Sequence, residues 1–150
     1  MNPGDYTILL VEDDPNDVLL IKRAFDRCGL TNPVAVVSSG EEAVRYLKGE
    51  GRFADRSEYP LPVLILLDLK MPRMNGFEFL RWLRSEPELK KLITVVLTSS
   101  KETPDINLAY ELGANSYLVK PVQFEDLMRI VKELHLYWIV MNEKPTDFEG

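Results

Sequence analysis

Residues Val63–Gly76, VLILLDLKMPRMNG, decide how the rest of the chain is read. Val63 to Leu67 are five apolar residues with the length and composition of a strand buried on both faces, and they end at a carboxylate, Asp68. The Met71 to Gly76 stretch then reads as a loop. In an open parallel sheet, ligands bind outside the carboxyl ends of the strands, because the connecting loops there face a crevice. Asp68 is therefore the first candidate for a reacting group.

Working outward from this run, strand-like and helix-like periods alternate. Thr7 to Val11 is apolar and β-branched and stops at Glu12, Asp13 and Asp14; Pro15 suits a first helical turn, with Asp14 as its N-cap. Val18, Leu19, Ile21, Ala24 and Phe25 recur at helical spacing up to Gly29. Val34 to Val37, Ile93 to Leu97 and Tyr117 to Val119 read as further strands. Glu41 to Lys48, Gly76 to Leu83, Asp105 to Leu112 and Phe124 to about Met141 read as helices, with Gly113 as a left-handed stop. Five βα units in succession predict an α/β doubly wound domain, a parallel sheet covered on both faces by right-handed crossovers. The Gly49 to Pro62 segment exceeds an ordinary αβ loop and reads as a surface insertion, and Asn142 to Gly150 as a fraying tail.

Composition agrees with one compact domain. The 150 residues are 45% hydrophobic and 28% charged, enough to bury about 70% of the unfolded surface. A net charge of −6 argues against nonspecific nucleic-acid binding, which needs clustered Lys and Arg. The single cysteine, Cys28, excludes an intramolecular disulfide and sits where a helix end would pack. No apolar run approaches the roughly 20 residues of a membrane helix, and no signal segment opens the chain. The expectation is a cytoplasmic protein.

With parallel strands, groups far apart in sequence meet at one edge: Glu12 and Asp13, Asp68, Thr98, and Lys120. Each like-charge carboxylate pair at about 4 Å costs on the order of 4 kcal/mol at an effective dielectric near 20. A cation is needed. Hard carboxylate oxygens without His or thiolate favour Mg²⁺ or Mn²⁺, and Lys120 adds a second positive charge. A cation, a lysine and a hydroxyl around one carboxylate would receive a phosphoryl group, whose negative charge needs stabilising from several sides. Taken singly, Asp13, Asp14 or Asp68 could be helix caps, Thr98 part of a polar turn, and Lys120 a solvated loop residue. Chance capping does not place a lysine at the fourth of these tips.

Taken together, these residues resemble the receiver domains of bacterial two-component response regulators. The resemblance covers about Tyr6 to Leu136 and rests on Glu12 and Asp13, on Asp68 with Met71, Pro72, Met74 and Gly76, on Thr98, and on Lys120 with Pro121. The intervals of 30 residues from Asp68 to Thr98 and 22 from Thr98 to Lys120 agree as well. It implies a flavodoxin-like (βα)5 fold with strand order 2-1-3-4-5. Asp68 would accept a phosphoryl group from a sensor histidine kinase. Asp13, Asp68 and the Lys70 main-chain carbonyl would bind Mg²⁺, with Glu12 acting through water. Lys120 would pair with the phosphoryl group, Thr98 would move to hydrogen-bond it, and Tyr117 would be the aromatic that swings inward. Pro121 would follow a cis peptide bond.

The insertion and the 137–150 extension resemble, more narrowly, the stand-alone regulators paired with cyanobacterial phytochrome kinases. Because only a tail follows the core, output is expected from the receiver surface itself, toward an unidentified downstream protein. The last helix is apolar nearly all round, which needs cover on more than one face. A homodimer is expected through it and the neighbouring fourth helix and fifth strand, with Ile130, Tyr137, Trp138 and Ile139 in the contact. His135, the one histidine, lies on the stripe Phe124, Leu127, Met128, Val131, Leu134 and Trp138, and reads as a packing residue. An aspartyl phosphatase would need a second Asp where Lys70 stands, and an FMN binder a phosphate-cradling loop where Glu12, Asp13 and Asp14 stand. No separate substrate is expected. The remaining alternative is a nonphosphorylated interaction module on the same fold.

Overall fold

The computed structural model describes residues 2–145. Five strands, β1 Ile8–Val11, β2 Val34–Val37, β3 Leu64–Leu67, β4 Thr94–Thr98 and β5 Ser116–Val119, pair in parallel in the order β2-β1-β3-β4-β5. They alternate with α1 Pro15–Arg27, α2 Gly40–Lys48, α3 Gly76–Ser85, α4 Thr103–Glu111 and α5 Phe124–Leu134. The flavodoxin-like class and strand order expected from sequence are those observed.

The two-residue period of the strands sorts the core into two layers. Leu9, Val11, Ile65 and Leu67 pack with Ala43, Tyr46 and Leu47 of α2 and Phe79, Leu80 and Leu83 of α3. Ile8, Leu10, Leu64 and Leu66 face the other way, onto Ile21, Ala24 and Phe25 of α1 and Leu127, Val131 and Leu134 of α5. Burial on both faces is why β1 and β3 are unbroken apolar runs rather than alternating ones. Each such buried aliphatic side chain stabilises the fold by about 2 kcal/mol. At the helix starts, the Asp14 carboxylate accepts from the Asn16 N–H at 2.9 Å with Pro15 in the first turn, as the sequence suggests. Asn75 and Glu78 form a reciprocal capping box at α3. Gly113, at φ 104°, follows the end of α4.

The Gly49 to Pro62 segment is more than a surface insertion. Its Phe53 is buried and its ring lies tilted 5.1 Å from that of Tyr46, with Tyr59 edge-on to both rings. The Arg56 guanidinium donates to the Tyr46, Leu47 and Tyr59 carbonyls at 2.7, 2.6 and 3.1 Å. A cation at a helix C-terminus satisfies carbonyls that have no partner within the helix and complements the helix dipole. The charge count that makes this segment look solvated conceals that Arg56 is one of its anchors.

The last helix departs from expectation as well. Regular α-helix ends at Leu134, and His135–Met141 continue as wider π-helical turns; the Asn142 N–H closes the last of them on the Tyr137 carbonyl at 2.8 Å. A five-residue step from Leu134 puts Ile139, rather than Trp138, beneath it in the core. Ile139 is only 1% exposed, and Ile130 and Trp138 are half-buried against the α1/α5 core layer. Of the residues expected at a dimer contact, Tyr137 alone is exposed, and it is joined by Leu136, Val140 and Met141. His135 is half-buried, as a packing residue would be. The tail expected to fray includes 146–150, which lie outside the described residues.

One glycine fixes the approach of the Met71 to Gly76 loop to the sheet. A Cβ on Gly76 would lie 2.4 Å from the Asp68 carbonyl oxygen and 2.8 Å from Leu69 Cα, both of them backbone and unable to yield cheaply. Gly76→Ala is therefore expected to destabilise the protein by about 2 kcal/mol, read as a lower urea midpoint. A midpoint equal to wild type would show that the loop yields without strain.

Candidate functional site

Hydrogen bonds of the sheet run one residue past the strands and hold the site's main chain. The Glu12 N–H donates to the Val37 carbonyl at 3.0 Å, Asp68 N–H to Val11 at 3.0 Å, and Lys120 N–H to Thr98 at 2.7 Å. Counting by twos from Leu10, Leu66 and Leu118, which face the α1/α5 layer, puts Glu12, Asp68 and Lys120 at the same end of that same face. Their carboxylates and ammonium therefore converge.

Lys120 Nζ lies 2.5 Å from Glu12 Oε1, 2.7 Å from Asp17 Oδ2 and 3.6 Å from Asp68 Oδ2. Glu12 and Asp68 are buried, whereas Asp13 is exposed, and one carboxylate oxygen from each of the three lies within 4.8 Å of the others. A single ammonium thus serves an excess of carboxylates. Burial pushes the Glu12 carboxyl up to about 7; the Lys120 hydrogen bond opposes this and the Asp68 charge adds to it. Lys120 is itself raised: burial acts against its charge, but hydrogen bonds to Asp17 and Glu12 and the charge of Asp68 outweigh it.

Thr98 Oγ1, at the end of β4, is fully buried and has no hydrogen-bond partner. An orphaned buried hydroxyl costs roughly 1–3 kcal/mol, and here it sits at the sheet edge that carries the acids. The donor set contains only hard oxygens. An acidic trio in charge excess, made of hard oxygens alone, fits Mg²⁺ or Mn²⁺, and the orphaned hydroxyl fits an anion's oxygen alongside.

A second chain of contacts links the loops beyond β3, β4 and β5. Lys70 turns its ammonium toward Asp105 Oδ2, at 3.8 Å. The Ser100 hydroxyl donates to the same oxygen at 2.6 Å, and the Tyr117 hydroxyl donates to the Ser100 carbonyl at 2.9 Å. Burial raises the Tyr117 phenol above its usual range.

The structure therefore brings Glu12, Asp13, Asp68 and Lys120 into one site, and it leaves Tyr117 latched to the β4–α4 loop. Among the described residues no peptide bond is cis, so the bond before Pro121 is trans, contrary to the expectation. The sheet hydrogen bond from Lys120 N–H already delivers its side chain to the acids. Asp17 was not among the residues singled out from sequence. The signal was present: strand parity aims the site at the α1 face, and Asp17 is in the first turn of α1.

Residues 8–132 match the family model described as the response regulator receiver domain. The chain is 40% identical over 143 residues to a protein named probable methanogenesis regulatory protein FilR2 of Methanothrix harundinacea, covering 93% of this chain and 88% of that one. It is 33% identical over 132 residues to response regulator Rcp1 of Synechocystis, covering 88% of each. A solved Mn²⁺-bound form of Rcp1 superposes with a TM-score of 0.82 at 32% identity, over 94% of this chain and 99% of that one. The phosphorylated cyanobacterial phytochrome response regulator RcpA superposes with a TM-score of 0.86 at 36% identity, over 95% and 99%.

The raised Glu12 carboxyl carries a signed expectation. The folded state holds this proton more tightly than the unfolded chain, so the group's contribution to stability falls as pH rises from about 4.5 through about 7. A divalent cation beside Glu12, even through water, disfavours that proton. Mg²⁺ binding at pH 6.5 is expected to release up to about one proton, declining toward none at pH 8.5, measured by calorimetry in buffers of different ionisation enthalpy. Equal proton release at both pH values would show that Glu12 is not the group that gives up the proton.

Proposed function

The chain belongs to the response regulator receiver domain family, and from that premise we propose that it is a phosphorylation switch centred on Asp68. The observation that carries this reading is a buried carboxylate, Asp68, within ion-pair range of a half-buried lysine, at a sheet edge that also holds a buried hydroxyl with no partner. In the proposed step, an Asp68 carboxylate oxygen attacks the phosphorus of a phosphohistidine on a sensor kinase. The O–P bond forms as the P–N bond breaks, and the electron pair leaves on the imidazole nitrogen. Lys120 neutralises the incoming phosphoryl oxygens, and the Thr98 hydroxyl donates to one of them.

Asp13, Asp68 and the Lys70 main-chain carbonyl would hold Mg²⁺ or Mn²⁺, with Glu12 acting through water. When bound, the ion supplies positive charge to the phosphoryl oxygens during transfer. Tyr117 is the proposed readout. Once Thr98 turns to the phosphoryl group, the β4–α4 loop shifts and the Tyr117 to Ser100 bond gives way, changing the surface around α4, β5 and α5. The protein is a phosphoacceptor that takes part in its own chemistry, and no separate substrate is proposed. A single receiver domain, with its core at about 6–136, is proposed to span the chain.

The response regulators Rcp1 and RcpA support a histidine kinase as phosphodonor, and RcpA, described as a phytochrome response regulator, favours a phytochrome among kinases; FilR2, named as a methanogenesis regulatory protein, fits a different signal. Among the described residues no helix is long and apolar enough to cross a membrane, and a cytoplasmic location suits the kinase reaction. Leu136, Tyr137, Val140 and Met141 leave an apolar stripe exposed beyond α5, and a homodimer through α4, β5 and α5 would cover it.

Incubation with Mg²⁺ and acetyl phosphate tests the phosphoacceptor directly by intact mass. Wild type is expected to gain one phosphoryl group and Asp68→Asn none. No gain in wild type, despite bound Mg²⁺, would instead favour a nonphosphorylated interaction module. For the dimer, sedimentation is expected to show self-association weakened at least about tenfold by Tyr137→Ser, roughly the 1.4 kcal/mol that one buried aromatic exceeds. A monomer at all concentrations, phosphorylated or not, rejects it.

A further inference from the structure

We propose that Asp17 is a positioning residue for Lys120: a charged arm on α1 that competes with the phosphoryl group for the lysine ammonium and so sets how strongly the site holds an anion on Asp68. The inference rests on the phosphoacceptor reading and extends it to a residue outside the acidic trio.

The geometry is specific. An ammonium has three N–H donors, and in this structure two are engaged, by Glu12 Oε1 at 2.5 Å and Asp17 Oδ2 at 2.7 Å. Asp68 Oδ2, at 3.6 Å, is within ion-pair range but beyond a good hydrogen bond. The lysine is thus held nearer the α1 side of the site than the carboxylate that would carry the phosphoryl group. Glu12 and Asp17 differ in a way that matters. The Glu12 side chain is 1% exposed and belongs to the acidic trio, whereas that of Asp17 is 31% exposed and does not. Asp17 therefore holds Lys120 from the α1 side, outside the acidic trio. Any anion on Asp68 then meets a lysine already paired, and an additional negative charge close behind it.

Asp17 is also an acid in the first turn of α1, where it would favour the helix dipole whatever Lys120 did. The two roles separate by experiment. Asp17→Asn keeps an oxygen acceptor for Lys120 and removes the charge; Asp17→Glu keeps the charge; Asp17→Ser removes the charge with a smaller side chain.

The probe is beryllofluoride, a phosphoryl mimic that coordinates a carboxylate oxygen, titrated by calorimetry at saturating Mg²⁺. Asp17→Asn and Asp17→Ser are expected to tighten its Kd at least about threefold, Asp17→Glu to stay within about twofold of wild type, and the Mg²⁺ Kd without beryllofluoride to change less than about twofold. In a Lys120→Met background, the Asp17→Asn effect is expected to vanish. Unchanged or weaker beryllofluoride binding in both charge-removing variants overturns the inference while leaving the phosphoacceptor reading intact. Equal tightening with and without Lys120 also overturns it, since Asp17 would then act as a general charge. Wild type that binds Mg²⁺ but no beryllofluoride overturns both the inference and the reading beneath it.

Discussion

One ammonium among too many carboxylates is the constraint on which this structure turns. Lys120 faces Glu12, Asp17 and Asp68, with Asp13 at the rim. A set of acids in this ratio is uncomfortable when empty, because each unneutralised pair opposes folding and each removed charge relieves it. The fold tolerates the arrangement because its centre is otherwise apolar and well packed. Strands β1 and β3 are buried on both faces, and their main-chain hydrogen bonds continue into the first site residues. The rigid sheet thus holds in place charges that would otherwise separate.

Under the proposed function, the same constraint would let the site act as a switch rather than only as a binding pocket. In the proposed function, a metal and a phosphoryl group would change which acid each cation serves and would give the orphaned Thr98 hydroxyl an acceptor. The chain from Lys70 through Asp105 and Ser100 to Tyr117 runs from the loop beside Asp68 to β5. In the proposed switch, a rearrangement at Thr98, two residues before Ser100, would have a short physical route to Tyr117.

Much of this was legible in the sequence because it is local. An apolar run that ends at Asp68, an acid pair after β1, and a lysine before Pro121 each announce a strand tip, and five such units imply the sheet. What escaped depends on three-dimensional register. Asp17 reads as an ordinary first-turn acid until strand parity shows that the site faces α1. Ile139 takes the core place beneath Leu134 that a 3.6-residue count gives to Trp138, because π-helical turns widen the period there. Arg56 looks like a solvated charge until its guanidinium is seen on the carbonyls at the end of α2. The trans bond before Pro121 corrects an expectation taken from the family resemblance, not from the residues themselves.

The central claim, that the acids are in excess until a divalent cation joins them, is tested most directly by thermal unfolding of wild type and Asp13→Asn with and without Mg²⁺. Removing one exposed carboxylate from the trio is expected to raise the melting temperature of the metal-free protein by about 3 °C, the equivalent of about 1 kcal/mol at this size. Mg²⁺ in millimolar excess is expected to raise wild type and to leave Asp13→Asn nearly unmoved. A metal-free Asp13→Asn that melts below wild type, together with a wild type indifferent to Mg²⁺, would contradict the account.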